Sequence, residues 1–232
     1  MSEQAREFEA GAADDDAIEE KLDGMRRFYT PLVSDTMERL GMKSGALHHS
    51  IQPVLPDPSL KVCGLAYPCR VIPTREYVEI DRLLEMVDSI PRNSFVVVSA
   101  DQDIGAALWG GLMSARARAR GAVGAAVNGG VRDIEQIAAL DFPVFGSYRC
   151  ITDIRRRGYM AKYNVPVYSA GQTIVPGDVI FGDANGVLVI ARERFDRVYA
   201  ELERAYGEEQ QTQRKLVDGT GARDVFKEFG RF

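Results

Sequence analysis

The segment Gly124-Ala125-Ala126-Val127-Asn128-Gly129-Gly130-Val131-Arg132-Asp133 closes an apolar run with a glycine pair and then sets a guanidinium beside a carboxylate. A planar cationic fork next to a hard oxygen ligand suits an anionic substrate bound with a metal ion, and glycine permits close backbone approach. Upstream, Gly110-Gly111 opens a helix whose free amides would face the same anion, at the strand ends where open α/β sheets bind ligands. The pair also has a bland reading. Asp133 would cap the next helix, Gln136 would complete a capping box, and Arg132 would lie on the surface.

The elements that must position these residues follow from hydrophobic periodicity. Helical spacing runs from Ile18 to Phe28, and Leu32 to Gly41 reads as a helix with a polar cap near Ser34 and a glycine stop. Val62–Val71 is a strand, and Ser94–Ser99 is a buried β-branched strand behind an amphipathic helix over Arg82–Ser89. A helix over Gly111–Arg120, a strand over Ala122–Asn128 and a helix over Ile134–Leu140 continue an α/β alternation. Beyond these, Phe142–Phe145 and Val165–Tyr168 are short strands, and Val175–Ile190 alternates turn and strand around Pro176-Gly177 and Asn185-Gly186. Phe195, Val198, Tyr199, Leu202 and Tyr206 form one stripe of a C-terminal helix.

The 232-residue chain, 45% hydrophobic and 27% charged, is large enough for one well-packed domain. Residues 1–23 read as an acidic flexible tail and residues 24–232 as a single α/β domain with a C-terminal helix. A net charge of -5 argues against a nucleic-acid surface, and no apolar run is long enough to span a bilayer. The expected location is cytoplasmic. Cys63, Cys69 and Cys150 match neither a disulfide framework nor a zinc spacing, so reduced thiols are expected. The adjacent His48 and His49 lack a third histidine for a His-rich metal site, and Arg116, Arg118 and Arg120 diverge around their helix rather than forming one basic strip. Dinucleotide, phosphate-loop and nucleophile-elbow motifs are all missing.

Trp109-Gly110-Gly111-Leu112-Met113, the Gly121 to Asp133 stretch, Phe142-Pro143-Val144-Phe145 and Pro176-Gly177-Asp178 through Gly182-Asp183 to Asn185-Gly186-Val187 carry a resemblance in their order and spacing. Together they resemble the family of the ribonuclease-activity regulator RraA and the class II 4-hydroxy-4-methyl-2-oxoglutarate/4-carboxy-4-hydroxy-2-oxoadipate aldolases, over roughly residues 30 to 225. The resemblance implies a swivelling β/β/α-type sandwich, a homotrimer or a hexamer of trimers, and sites at subunit interfaces. It also implies Asp133 as ligand to Mg²⁺ or Mn²⁺, Arg132 as the clamp on the keto oxygen of an oxo-acid substrate, and substrate binding at Gly110, Gly111, Leu112 and Met113, with the amides of Leu112 and Met113 on the carboxylate. A metal on an α-oxo acid stabilises the enolate shared by retro-aldol cleavage and decarboxylation.

The chain departs from that pattern at Gly111, where the aldolases carry an acidic residue that orients the proton-relaying water, and at Asn128, where aspartate is common. Asp101 and Asp103 are upstream substitutes to weigh, and Glu208 and Glu209 are candidates for the acidic group a neighbouring subunit contributes in the family. The leading expectation is a divalent-metal-dependent carbon-carbon lyase on an oxo acid. A different metal-enolate reaction (isomerase, hydratase or rearrangement) and a non-enzymatic regulator acting on a protein partner are the alternatives.

Overall fold

The computed structural model describes residues 17–230. Most of the expected tail lies outside them, but residues 17–24 form a helix, α1, with Ile18 and Leu22 buried. Packing therefore begins before residue 24, because the i, i+4 apolar pair docks on the core while Glu20 and Asp23 stay exposed.

The central sheet runs in the order β1 (Gln52–Pro53), β6 (Val144–Arg149), β5 (Gly124–Val131), β3 (Ser94–Ala100), β2 (Lys61–Pro73), β10 (Val179–Asp183) and β11 (Gly186–Ile190). Strands β2, β3, β5 and β6 are mutually parallel, and the flanking pairs are antiparallel. A short strand β4 (Ala107–Trp109) joins the end of β5, and β7 (Gly158–Tyr163) takes over from β10 along the second half of β2, with a register shift at Arg70/Val71 within that pairing. Strands β8 (Val167–Ser169) and β9 (Gln172–Ile174) form a separate hairpin. The ends of the sheet curl toward each other: Leu47 N donates to Val187 O at 2.9 Å, and Gln52 Nε2 to Asn185 O at 3.5 Å. The result is a mixed α/β domain with a nearly closed sheet.

Strand alternation explains why β3 and β5 are buried on both faces. Val96, Val98, Ala125 and Val127 point into one core, shared with α3 (Asp81–Asp88), α4 (Gly111–Ala119) and α5 (Ile134–Ala139). Phe95, Val97 and Ala126 point into a second, with Phe145 and Ile180. A third core lies under α1, α2 (Thr30–Arg39) and α6 (Phe195–Val217), and α7 (Ala222–Phe229) packs on α6. None of the described helices is long and apolar enough to cross a membrane.

Two local expectations need correction. Helix α2 starts at Thr30, not near Ser34, with Pro31 in its first turn and its cap supplied from the distant β10. The buried Asp183 carboxylate accepts from Thr30 N at 2.7 Å and Thr30 Oγ1 at 2.8 Å. Strand β5 also continues past Asn128 to Val131. Gly129 and Gly130 do not clear space for a ligand, since a Cβ there would meet Leu108 Cδ1 at 2.5 Å and Cys150 Cβ at 2.6 Å. The glycine pair lets β4 and the end of β6 close onto β5.

Candidate active site

Strand β5 delivers Arg132 and Asp133 to its C-terminal edge, where Arg132 N donates to Trp109 O at 3.1 Å. Asp133 then turns the chain into α5 with φ 58° and ψ 43°, the left-handed region. Aspartate tolerates that region better than most side chains. It occupies the N-cap position of α5 but makes no side-chain cap bond, so the capping-box reading with Gln136 fails. The carboxylate instead reaches across to α4. Its Oδ2 accepts from Gly111 N at 3.1 Å and lies 3.5 Å from Arg132 Nε.

Helix α4 is anchored by the residue before the glycines. The buried Trp109 donates from Nε1 to Ser114 Oγ at 2.7 Å, and Ser114 Oγ donates to Gly110 O at 3.0 Å. Ser114 N also donates to Gly110 O, so the helical ladder begins there and the amides of Leu112 and Met113 precede it. These two N–H groups lie at the positive end of the helix dipole, a position suited to an anion. Gly111 N donates to Asp133, and Gly110 packs close to it by its small size. A Cβ at Gly110 would meet Asp133 Oδ2 at 2.7 Å.

Gly111 has its own cause. A Cβ there would lie 2.3 Å from Gln136 Oε1 and 2.8 Å from Gln136 Cβ. The space a side chain at 111 would fill is thus occupied by Gln136 from α5, and an acidic residue at 111 is incompatible with this packing.

Gly110, Leu112, Met113, Arg132 and Asp133 all line one cavity of about 350 Å³. The same cavity holds a residue that the sequence reading passed over. Asp153 accepts from Arg132 Nη1 at 3.0 Å through Oδ2, and from Arg155 N at 2.8 Å and Nε at 3.1 Å through Oδ1. Burial pushes its carboxyl up, but the hydrogen bonds from Arg155 and Arg132 and their positive charges outweigh that and hold it below the usual carboxylate range. Arg132 is consequently clamped between two carboxylates through Nε and Nη1. Asp153 closes an Asx-turn on the backbone amide two residues on, which nothing local links to Arg132.

The donor set bears on the metal. Among the described residues no cluster of His, Cys, Asp and Glu could cage an ion. One carboxylate completed by water and substrate oxygens suits Mg²⁺, which dehydrates reluctantly. Asp133 fits that arrangement, since its hydrogen bond and ion pair both use Oδ2 and leave Oδ1 clear.

The remaining candidates lie elsewhere. Asp101 is engaged by Arg70 through two 2.7 Å bonds, whose charge-assisted hydrogen bonding lowers its carboxyl. Asp103 is bonded by Tyr148 and by Gly105 N. Neither replaces an acid at 111. The His48 and His49 rings lie close together but tilted, with His48 Nδ1 against Ser50 Oγ. Glu208 and Glu209 lie on α6, where Glu208 pairs with Arg204, away from this cavity. Cys63 and Cys69 are buried free thiols that burial pushes up, and Cys150 is half-buried and free. Asn128 accepts from Ser147 Oγ at 3.4 Å.

Residues 30–189 match the family model described as RraA-like, Aldolase/RraA. The chain belongs to the RraA-like family. Protein DlpA of Legionella pneumophila is 34% identical over 169 residues, which are 72% of this chain and 26% of DlpA, so the chain spans about a quarter of that relative. A Halalkalibacterium halodurans protein named "Putative 4-hydroxy-4-methyl-2-oxoglutarate aldolase" is 29% identical over 155 residues, 67% of this chain and 73% of its own length. The crystal structure of Streptomyces coelicolor RraAS2, an unusual member of the RNase ES inhibitor RraA protein family, matches with a TM-score of 0.72 at 18% identity. That match covers 85% of this chain and 96% of RraAS2, and it is a likeness of fold.

Proposed function

We propose that this protein is a divalent-metal-dependent carbon-carbon lyase acting on a 2-oxo acid. The observation that supports it is the convergence of the α4 amides, Arg132 and Asp133 at one end of one cavity. In this reading the N–H groups of Leu112 and Met113 receive the substrate carboxylate, and Arg132 Nη2 donates to the oxo oxygen. Breaking the adjacent carbon-carbon bond places negative charge on that oxygen, and a preorganised guanidinium stabilises it most there. Asp133 would hold Mg²⁺ or Mn²⁺ through Oδ1. When bound, the ion supplies Lewis-acid charge beside the carboxylate and oxo oxygens. Asp153 keeps Arg132 oriented from the far side.

With glycine at 111, every carboxylate lining the cavity, Asp88, Asp133 and Asp153, has an arginine partner. The reading therefore favours decarboxylation, which needs no protein base, over retro-aldol cleavage, which must remove a hydroxyl proton. The same inventory keeps a second reading in view, a regulator that binds a protein partner without turnover. As part of the proposal, the chain assembles as a homotrimer or a hexamer of trimers. Leu112 and Ile151, 82% and 96% exposed, flank the site segments and support it.

The test is pyruvate release from oxaloacetate and from 4-hydroxy-4-methyl-2-oxoglutarate with Mg²⁺, with Mn²⁺ and with excess chelator. Chelator-sensitive turnover that Asp133→Asn abolishes is expected, faster on oxaloacetate. Turnover unaffected by either chelator or the variant would sink the site assignment, and no turnover on any oxo acid would favour the regulator.

A further inference from the structure

The charged side chains that line the cavity, Arg116, Arg132 and Arg155 with Asp88, Asp133 and Asp153, balance one another. A divalent ion on Asp133 would leave the cavity two charges positive, and a substrate with a single carboxylate cancels only half of that excess. Uncancelled charge is costly where water is partly excluded, so the balance favours a second anionic group on the substrate.

Arg155 is placed to receive that group. Asp153 carries a guanidinium on each of its oxygens, Arg132 through Nη1 on Oδ2 at 3.0 Å and Arg155 through Nε on Oδ1 at 3.1 Å. The two bonded nitrogens are therefore no more than about 8 Å apart, a separation that one short diacid can bridge. Asp153 takes the Nε of Arg155, and no described residue bonds its Nη1 or Nη2, so the end of the fork stays open to a carboxylate. Arg116 is the other arginine on the wall, but its Nε is tied to Asp88 on α3 at 2.6 Å and it shares no carboxylate with Arg132.

From this we infer that Arg155 is the specificity-determining residue of the pocket: its Nη groups hold the second carboxylate of a short 2-oxo diacid while Arg132 and the α4 amides hold the oxo-acid head. The inference rests on the proposed placement of that head, and it adds the side chain that reads the far end of the substrate. The scissile carbon-carbon bond then lies between the two anchored ends. Because the guanidinium meets the second carboxylate already in the bound substrate, Arg155 contributes to affinity rather than to bond breaking.

Titration calorimetry in the presence of Mn²⁺ tests it with non-reacting oxo-acid mimics: oxamate as the bare head, N-oxalylglycine as the short diacid, and N-propyl oxamate as an uncharged counterpart of similar size. N-oxalylglycine should bind at least about ten-fold more tightly than either of the others. In Arg155→Leu the ratio of N-oxalylglycine to N-propyl oxamate affinity should fall to about one, and in Arg116→Leu it should stay at the wild-type value. Oxamate binding with no diacid advantage, or an advantage that survives Arg155→Leu, would overturn the role of Arg155 while the head placement stands. Failure of all three mimics to bind would remove the head placement, and this inference with it.

Discussion

At Asp133 the backbone and the charge can be separated, because asparagine shares aspartate's tolerance of the left-handed region and alanine does not. Asp133→Asn should abolish metal-dependent turnover with unfolding free energy nearly unchanged, while Asp133→Ala should lose the same turnover and cost about 1–2 kcal/mol more in urea unfolding. Equal stability of the two variants would show that the conformation carries no strain. Arg132→Lys should lower kcat about 10²-fold with KM little altered, since an ammonium cannot keep two carboxylates and still offer a planar donor. Gly111→Ala should cost about 1–3 kcal/mol through overpacking against Gln136, and part of that should return in a Gln136→Gly background. A double-mutant cycle with zero coupling would contradict the contact. Asp153 sets an acid-side dependence. Its folded-state pKa is depressed, so its stabilising contribution is complete above about pH 4 and is lost as pH falls through the folded value. Asp153→Asn should flatten the acid limb of a stability-pH profile, and an unchanged limb would remove that role.

Among the elements, long periodic segments were readable from sequence and short ones were not. Strand β3, helix α4 and the β10–β11 hairpin announce themselves by β-branched runs, a glycine start and an Asn-Gly turn. Strands β4 and β7 and helix α7 do not, because pairing with β5, pairing with β2 and docking on α6 decide them. The same divide runs through the site. Arg132, Asp133 and the α4 start are legible as neighbours of glycine motifs, whereas Asp153 and the packing of Gln136 on Gly111 exist only once β6 and α5 are folded back. The cap of α2 was missed for the same reason, its acceptor being Asp183 on β10. Asp183→Ala leaves Thr30 and Asn185 donors without their carboxylate and should destabilise by about 2–4 kcal/mol in urea unfolding, with oxamate affinity of the folded protein unaltered. A loss below about 0.5 kcal/mol would mean that water replaces the cap.

For the whole molecule, the proposed assembly predicts a mass in light scattering of three or six copies of the 25.6 kDa chain. Ile151→Glu should shift it toward the monomer, and a wild-type monomer at micromolar concentration would refute the assembly. The domain has three cores around one nearly closed sheet, and the site sits on a rim where a single residue carries the proposed metal contact. The left-handed turn at position 133 narrows what can stand there at little cost to fold to aspartate, asparagine and glycine. Asparagine and glycine codons are each a single base change from an aspartate codon. Mutation can therefore extinguish the charge while sparing the shape, so on this scaffold the proposed metal contact can be lost without the fold registering it.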